Sequence, residues 1–577
     1  MSSIDPLVEL RDRVLAATKA ALGDDAAGAD AALHRSQHAD YQADLALALA
    51  KKLKKNPREV ATAIAGKLGP DDVLEKIEIS GPGFINLTLR PAYLAGLLGR
   101  MRGDARLGVA RTEKPEKVVI DYSAPNVAKE MHVGHLRSTI LGDALARVLE
   151  AQGNRVLRQN HLGDWGTPFG MLIEHLIDVG EDGADRSMSE LNAFYQAARK
   201  KFDGDPAFAE RSRGRVVLLQ GSDARTLSLW QRLVDATLSH ATELYEKLAV
   251  TLSREHVAGE SSYNALLADV VDELRKKGLA VESEGALCVF PPGFAGRDGA
   301  PVPLIVQKQD GGYGYATTDL ASIRYRLGVL HATRVLIVVG SPQAQHFAMV
   351  FATAKLAGWL APPARAEHVP FGSVLGADGK MFKTRGGETV RLMDLLDEAV
   401  VRARRVVEEK NPELDPATRE SVARAVGIGA VKYADLSSDR VKDYVFDFDR
   451  MLAFEGNTAP YLQYAHARIR SIFRRAEGER PDPAHIAISL PQERRLALAL
   501  LRFPTVVGRV AEVLEPHQLC TYMFEVATAF STFYEACPVL KAATDEERRS
   551  RLALSDLTAR ILERGLGLLG IDAPDRM

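Results

Sequence analysis

His132 and His135 stand three residues apart, with Gly134 between them, where apolar residues begin to recur at helical spacing: Leu136, Ile140, Leu141, Leu145, Val148 and Leu149. Residues three apart share a helix face, so both imidazoles can address one ligand. Gly134 leaves room for a ligand to approach the backbone. A helix N-terminus adds free N–H groups and partial positive charge, which favour phosphate. The chemistry implied is hydrogen-bond donation to a nucleotide phosphate; a metal pair or plain capping polarity would explain two isolated histidines equally well. Their neighbours favour the ligand. Asp121, Asn126, Lys129, His132 and His135 put five polar or ionisable groups within fifteen residues, between two apolar runs. Such a group is costly at a strand-to-helix junction unless it meets a polar ligand.

The elements that must hold these groups are legible around them. Val118-Val119-Ile120 reads as a buried strand ending at Asp121, and Pro125-Asn126 breaks it before the helix. Arg155 to Asn160 reads as the next strand, delivering the polar, glycine-rich HLGDWGTPFG at its end. Open α/β sheets bind ligands at such carboxyl ends. Further on, Tyr313 and Tyr315 alternate as in a short strand, and Asp319 follows near a helix start, where it could cap the helix or pair with Arg324. RVLIVVG is a strongly β-branched strand breaking into Ser341-Pro342-Gln343-Ala344-Gln345-His346. Two such polar strand ends predict one shared cleft. Residues 374 to 389, VLGADGKMFKTRGGET, carry Lys380, Lys383 and Arg385 among glycine and acidic residues, which predicts a mobile basic loop able to close on a triphosphate.

Flanking these, Asp40 to Leu53 reads as helix ending in Lys51, Lys52, Lys54 and Lys55, and LEKIEISGPGFINLTL reads as a hairpin about Gly81-Pro82-Gly83. From about Val390 the pattern is helical. Leu519, Met523, Val526, Phe530, Phe533 and Tyr534 form an apolar stripe of core type. Arg468, Arg470, Arg474 and Arg475 make a basic face beside Tyr461 and Tyr464, a combination suited to single-stranded RNA.

At 577 residues the chain has room for about four domains. Its net charge of −2 means a nucleic-acid partner must be met by local basic patches. Cys288, Cys520 and Cys537 are far apart, which argues against a zinc site or disulfide framework and fits a reducing compartment. There is no membrane-length apolar run and no signal-peptide pattern, so a soluble, cytoplasmic protein without membrane contact is expected.

PNVAKEMHVGHLRST resembles the first signature of class I aminoacyl-tRNA synthetases in its arginyl-tRNA synthetase form. DYQADLALALAKK, GPGFINLTL, GNTAPYLQYAHARI and LGLLGIDAPDRM extend that resemblance over nearly the whole chain. It implies an α/β protein. A Rossmann-like catalytic domain, 111–390 with a helical insertion near 185–275, would follow an α+β N-terminal tRNA-contacting domain, 1–110. A helical connecting segment, 391–451, would lead to an all-α anticodon-binding domain, 452–577. It implies activation of L-arginine by ATP, with accompanying Mg2+, and transfer to tRNA(Arg) by a monomer. The implied catalytic residues are His132, His135, Lys129, Lys380 and Lys383. The arginine pocket falls on Asp121, Ala124, Pro125, Asn126, His135, Tyr315, Asp319 and Gln343, the ATP site on His132, Gly134, His135, Lys383 and Arg385, and tRNA contact on Arg468, Arg470 and Tyr461. Two departures stand out. Ala124 replaces a serine common in the family. The second signature aligns either as Lys380-Met381-Phe382-Lys383 or as Phe382-Lys383-Thr384-Arg385, and in enzymes with an altered loop Lys129 is the compensating lysine. By the same resemblance, adenylate formation requires tRNA. The competing readings are a shorter nucleotidyltransferase using HxGH, a class I synthetase of other specificity, and a non-catalytic tRNA-binding paralogue.

Overall fold

The computed structural model describes residues 4–180, 188–382, 390–476 and 486–577. At its centre are four parallel strands in the order Arg365–Phe371, Arg334–Gly340, Lys117–Asp121, Arg155–Gln159. Their runs of branched residues are explained by burial on both faces. Val118 and Ile120 pack on one side with Leu336 and Val338, while Val119 packs on the other with Val335 and Ile337.

The helix Val133–Ala151 carries the chain from Lys117–Asp121 to one neighbour, and Ala344–Leu356 carries it from Arg334–Gly340 to the opposite edge. The order therefore reverses between these two central strands, which opens a crevice beyond Asp121 and Gly340, the position where such sheets bind ligands. The first of these helices packs closely on the strand end. A Cβ on Gly142 would lie 2.2 Å from Cγ of Tyr122, so only glycine fits there.

The segment before the second half is helical as expected: Met188–Gly204, Pro206–Gln220 and Ala224–Lys247 stack on Thr167–Asp178. Phe169, Phe194, Phe208 and Leu233 form their shared core. After the helix Pro6–Leu22, the N-terminal part forms a four-stranded antiparallel sheet, Leu33–Arg35, Tyr41–Ala43, Phe84–Leu89 and Leu74–Ser80, so the expected hairpin is present. The helix expected over 40–53 is shorter than its pattern suggested. Tyr41–Ala43 is a strand, and the helix is Leu45–Leu53. Tyr41 and Ala43 pair with Leu87 and Ile85, and this sheet pairing overrides the local helical spacing.

Beyond 390, Leu392–Lys410 and Pro416–Leu436 pair along their length, the short helix Phe448–Met451 follows, and among the described residues five further helices run from Ala459–Arg475 to Asp545–Leu568. Leu519, Met523, Val526 and Phe533 are fully buried, so the apolar stripe is core. One short strand interrupts the helices. Tyr444–Val445 pairs with Val374–Leu375 and ties the helical part to the base of the basic segment.

Candidate active site

The strand Lys117–Asp121 ends in a contorted turn. Ser123, Ala124 and Ala128 all have positive φ (75°, 47° and 57°), a region non-glycine residues enter only when surrounding contacts hold them. Those contacts are present. Ser123 receives from Thr139 Oγ1 and shares a hydrogen bond with Tyr245, and the Ala124 N–H donates to Asn160 Oδ1. Asn126 pairs with Gly163 of the HLGDWG segment, where any Cβ would meet the Asn126 side-chain Oδ1 at 2.5 Å. Ala124, with its short side chain and its N–H bound to Asn160, is exposed at the cleft, as is Asn126; Pro125 beside them is buried. The two polar strand ends are thus laced into one wall.

The histidines cap their own helix. Gly134 N–H donates to His132 Nδ1 at 3.0 Å, and His132 N–H donates to His135 Nδ1 at 3.1 Å. The capping reading of the pair is therefore correct in part, and it serves the ligand reading. With both Nδ1 atoms accepting, the tautomer inferred for each ring carries its proton on Nε2. The rings lie 4.1 Å apart. Burial and the Lys129 ammonium pull His132 below the usual histidine range; burial and His132 take His135 down to about 3. Both are neutral donors at neutral pH.

Lys129 extends over the ring of Tyr195 from the helical insertion, 4.6 Å from its centroid. Tyr195 in turn acts electrostatically on Tyr315, a neighbour also of Glu260. Electrostatic contacts thus run from Lys129 through Tyr195 and Tyr315 to Glu260. Behind the signature loop, Val133 N–H donates to Val390 O, Leu392 N–H donates to Met131 O, and Arg391 pairs with Glu130 at 3.0 Å. The residues following the basic segment are thereby stitched to the histidine loop.

The acidic side differs from expectation in four respects. Tyr315 is not in a strand: the chain leaves Leu304–Gln307, loops through Tyr313, and Tyr315 opens the helix Tyr315–Gly328, 74 % exposed. Asp319 neither caps that helix nor pairs with Arg324, which binds Glu273; its Oδ2 lies 2.6 Å from His346 Nε2. Asp121 is not open to a ligand. Arg326, fully buried, places Nη2 2.5 Å from Asp121 Oδ2 and Nε 2.6 Å from Gln159 Oε1. A guanidinium of the protein thus occupies the carboxylate that was expected to hold a substrate guanidinium. Burying Asp121 at a strand end without a cation would be prohibitive, and Arg326 supplies that cation.

The fourth difference is a residue the sequence did not flag. Glu260 opens a short 3-10 turn, its N–H bound to Leu162 O, beside Asp164 and Asp319. Burial, Asp164 and Asp319 raise its carboxyl to about 8. Asp164 itself is satisfied by the N–H and Oγ of Ser261. No periodicity marks Glu260, and it falls inside the segment expected as the helical insertion. Glu260 is thus coupled electrostatically to Asp319 and to Tyr315.

Gln343 is exposed at the end of Arg334–Gly340. The basic segment is less loose at its start than expected. Gly376 N–H donates to Lys380 O and Phe382 N–H to Val374 O, forming a tight hairpin, with Phe382 stacked on Phe446 at 5.0 Å. Lys380 sits in that turn, exposed. Lys383 and Arg385 lie outside the described residues. In the helical domain, Arg470 Nε pairs with Asp575 at 3.1 Å, and Tyr461 packs on Phe524 with its hydroxyl near Ser531. Both are engaged within the domain. Arg468 lies over Tyr534, and Tyr464 remains 44 % exposed.

With this geometry in place, similarity to known proteins narrows the family. Residues 101–448 match the model of the class I tRNA synthetase (R) catalytic domain, residues 9–89 the arginyl-tRNA synthetase N-terminal domain, and residues 462–577 the DALR anticodon-binding domain. A relative in Thermobifida fusca (strain YX), named arginine–tRNA ligase, is 57 % identical over 99 % of this chain and 100 % of its own. One in Alteromonas mediterranea with the same name is 50 % identical over 94 % of this chain and 95 % of its own. The solved arginyl-tRNA synthetase of Plasmodium falciparum superposes with TM-score 0.85 at 29 % identity over 100 % of both chains. That of Thermus thermophilus gives 0.81 at 28 %, over 99 % of this chain and 100 % of its own. Sheet order, signature loop and sequence likeness agree, and the chain belongs to the class I arginyl-tRNA synthetases.

Proposed function

We infer that the protein is an arginine–tRNA ligase that makes arginyl-adenylate from L-arginine and ATP and transfers the arginyl group to the 3′ end of tRNA(Arg). The observation that carries the specificity is the electrostatic coupling of Glu260 to Asp319 and of Tyr315 to Glu260, in the same domain whose helix entrance presents two neutral imidazoles with Nε2–H.

The arginine carboxylate attacks the α-phosphorus of ATP and expels pyrophosphate; the terminal ribose hydroxyl of tRNA then attacks the carbonyl carbon of the mixed anhydride, forms the ester and expels AMP. Neither step needs a protein nucleophile, so positioning and charge neutralisation supply the catalysis. His132 and His135 donate to phosphate or carboxylate oxygens, aided by the N-terminus of Val133–Ala151 and the approach that Gly134 permits. Lys129, with Lys380, Lys383 and Arg385 of the basic segment, meets the β- and γ-phosphates. Magnesium accompanies ATP, held mostly by phosphate oxygens and water. Asn126, the backbone at Ala124 and Pro125, and Gln343 frame the amino-acid backbone and the far side of the pocket. Asp319 and Glu260 accept the guanidinium, whose planar donors suit two carboxylates. Asp121 is a neighbour of that pocket, its charge already neutralised by Arg326. Arg468 and the exposed Tyr464 ring face the tRNA from the helical domain. The enzyme acts as a cytoplasmic monomer.

Aminoacylation of total tRNA with each amino acid in turn tests this reading. Arginine alone should be charged. Charging with another amino acid, or none, would reject it.

A further inference from the structure

Arg137 stands two residues beyond His135 on the helix Val133–Ala151, and it is 1 % exposed. Its guanidinium is spent on the helical part of the chain. Nε pairs with Asp435, buried in the last turn of Pro416–Leu436, at 3.0 Å. Nη1 donates to the Lys442 carbonyl oxygen at 3.0 Å. The same group lies 5.2 Å from the ring centroid of Tyr444 and 5.8 Å from that of Phe371.

Lys442 and Tyr444 belong to a strap, residues 440–446, laid along the segment that leads into the basic hairpin. Gly372 N–H donates to Arg440 O, Tyr444 N–H to Ser373 O and Phe446 N–H to Leu375 O. Ser373 N–H donates to Asp443 Oδ1, and Phe446 stacks on Phe382. That hairpin carries Lys380 in its turn. Arg137 therefore ties the strap, and through it the hairpin, to the helix that presents the two imidazoles. For stability alone such a pair is a poor investment, since apolar packing of equal volume avoids its desolvation. What a guanidinium adds is geometry: its planar fork fixes two separate segments at once.

We propose that Arg137 is a positioning residue for adenylate formation. By holding Asp435 and the Lys442 carbonyl together, it sets the placement of the Lys380 hairpin relative to His132 and His135, so that both meet one ATP. The inference rests on the synthetase function proposed above, in which imidazoles and hairpin address the same nucleotide.

Two variants of the full chain test it. Arg137→Lys keeps a charge opposite Asp435 but gives up the fork. Gly372→Ala disturbs the same strap without touching Arg137, because a Cβ there would lie 2.6 Å from the Lys442 carbonyl oxygen and from Asp443 Oδ1. The assay is tRNA-dependent pyrophosphate exchange referred to titrated active sites, so that loss of folded enzyme drops out. Each variant should lower kcat on the order of tenfold to a hundredfold, as a misplacement of about 1 Å does. The KM for ATP should rise severalfold while that for arginine stays within about twofold, a split that general destabilisation does not produce. The double variant should be little worse than the poorer single one, since both act through one strap. If Arg137→Lys does not fold, the split in Gly372→Ala decides alone. An unchanged kcat, parallel changes in both KM values, or losses that multiply in the double variant would overturn the inference while leaving the synthetase reading intact. A wild-type chain with no arginine-dependent exchange would overturn both.

Discussion

Replacing Glu260 by Gln isolates the charge logic of the amino-acid pocket. In the free enzyme its carboxyl is held near 8 by burial and by Asp164 and Asp319. At pH 7 it is therefore mostly protonated. An arriving guanidinium favours the carboxylate, so binding must expel that proton. The deficit is the gap between about 8 and 7, about one pH unit, or about 1.4 kcal/mol. The sign is fixed: below the raised pKa, arginine binding releases a proton and strengthens as pH rises; above it, the dependence flattens. Wild-type affinity should thus increase roughly tenfold between pH 6 and 7, keep rising toward 8, then level. Glu260→Gln should remove the slope and bind arginine more weakly at pH 8.5, where the wild-type carboxylate is free. The assay is the KM for arginine in tRNA-dependent pyrophosphate exchange, taken from pH 6 to 9. A wild-type profile flat through this range, or an unchanged slope in Glu260→Gln, would refute the reasoning.

Other predictions follow from the same geometry. Asp319→Ala leaves a guanidinium beside an unpaired pocket wall, a loss of about 2–5 kcal/mol, so the KM for arginine should rise at least tenfold; an unchanged KM would remove Asp319 from the pocket. Since His132 and His135 are already neutral, kcat should show no inflection near pH 6.5, whereas His135→Ala should lower kcat far more than it changes the arginine KM; a histidine-like inflection would contradict the lowered pKa values. Arg326→Met leaves Asp121 buried without its cation, a cost of about 3–5 kcal/mol, and should lower the melting temperature by several degrees; a variant as stable as wild type would show the pair is not needed. Gly142→Ala should destabilise by about 1–3 kcal/mol or more, because the new Cβ meets Tyr122, and thermal melting with no loss would contradict the close approach.

What could be read from the chain beforehand follows the range of the forces involved. Val118–Ile120 and Val335–Val338 are buried on both faces, and such strands announce themselves as continuous apolar runs. The helix beginning at Val133 was equally clear, since its apolar period is local. Tyr41–Ala43 was misread because its partners, Ile85 to Leu87, are more than forty residues away, and cross-strand pairing leaves no local period. The site divided along the same line. The two histidines, Lys129 and Asn126 lie in one continuous stretch and were found together. The expectation that Asp121 stands unpaired failed, because nothing local reveals that Arg326, over two hundred residues later, takes its carboxylate. Glu260 drew no notice for a related reason: its raised carboxyl comes from burial and from Asp164 and Asp319, and neither is near in sequence.

Citrulline offers the most direct test of the central claim, that paired carboxylates select a charged guanidinium beside neutral imidazoles. It matches arginine in shape but carries no charge. In tRNA-dependent pyrophosphate exchange at pH 8, arginine should support turnover, while citrulline should be at least about a hundredfold poorer in kcat/KM, corresponding to about 2.7 kcal/mol of lost charge recognition. Comparable turnover of the two would contradict the account.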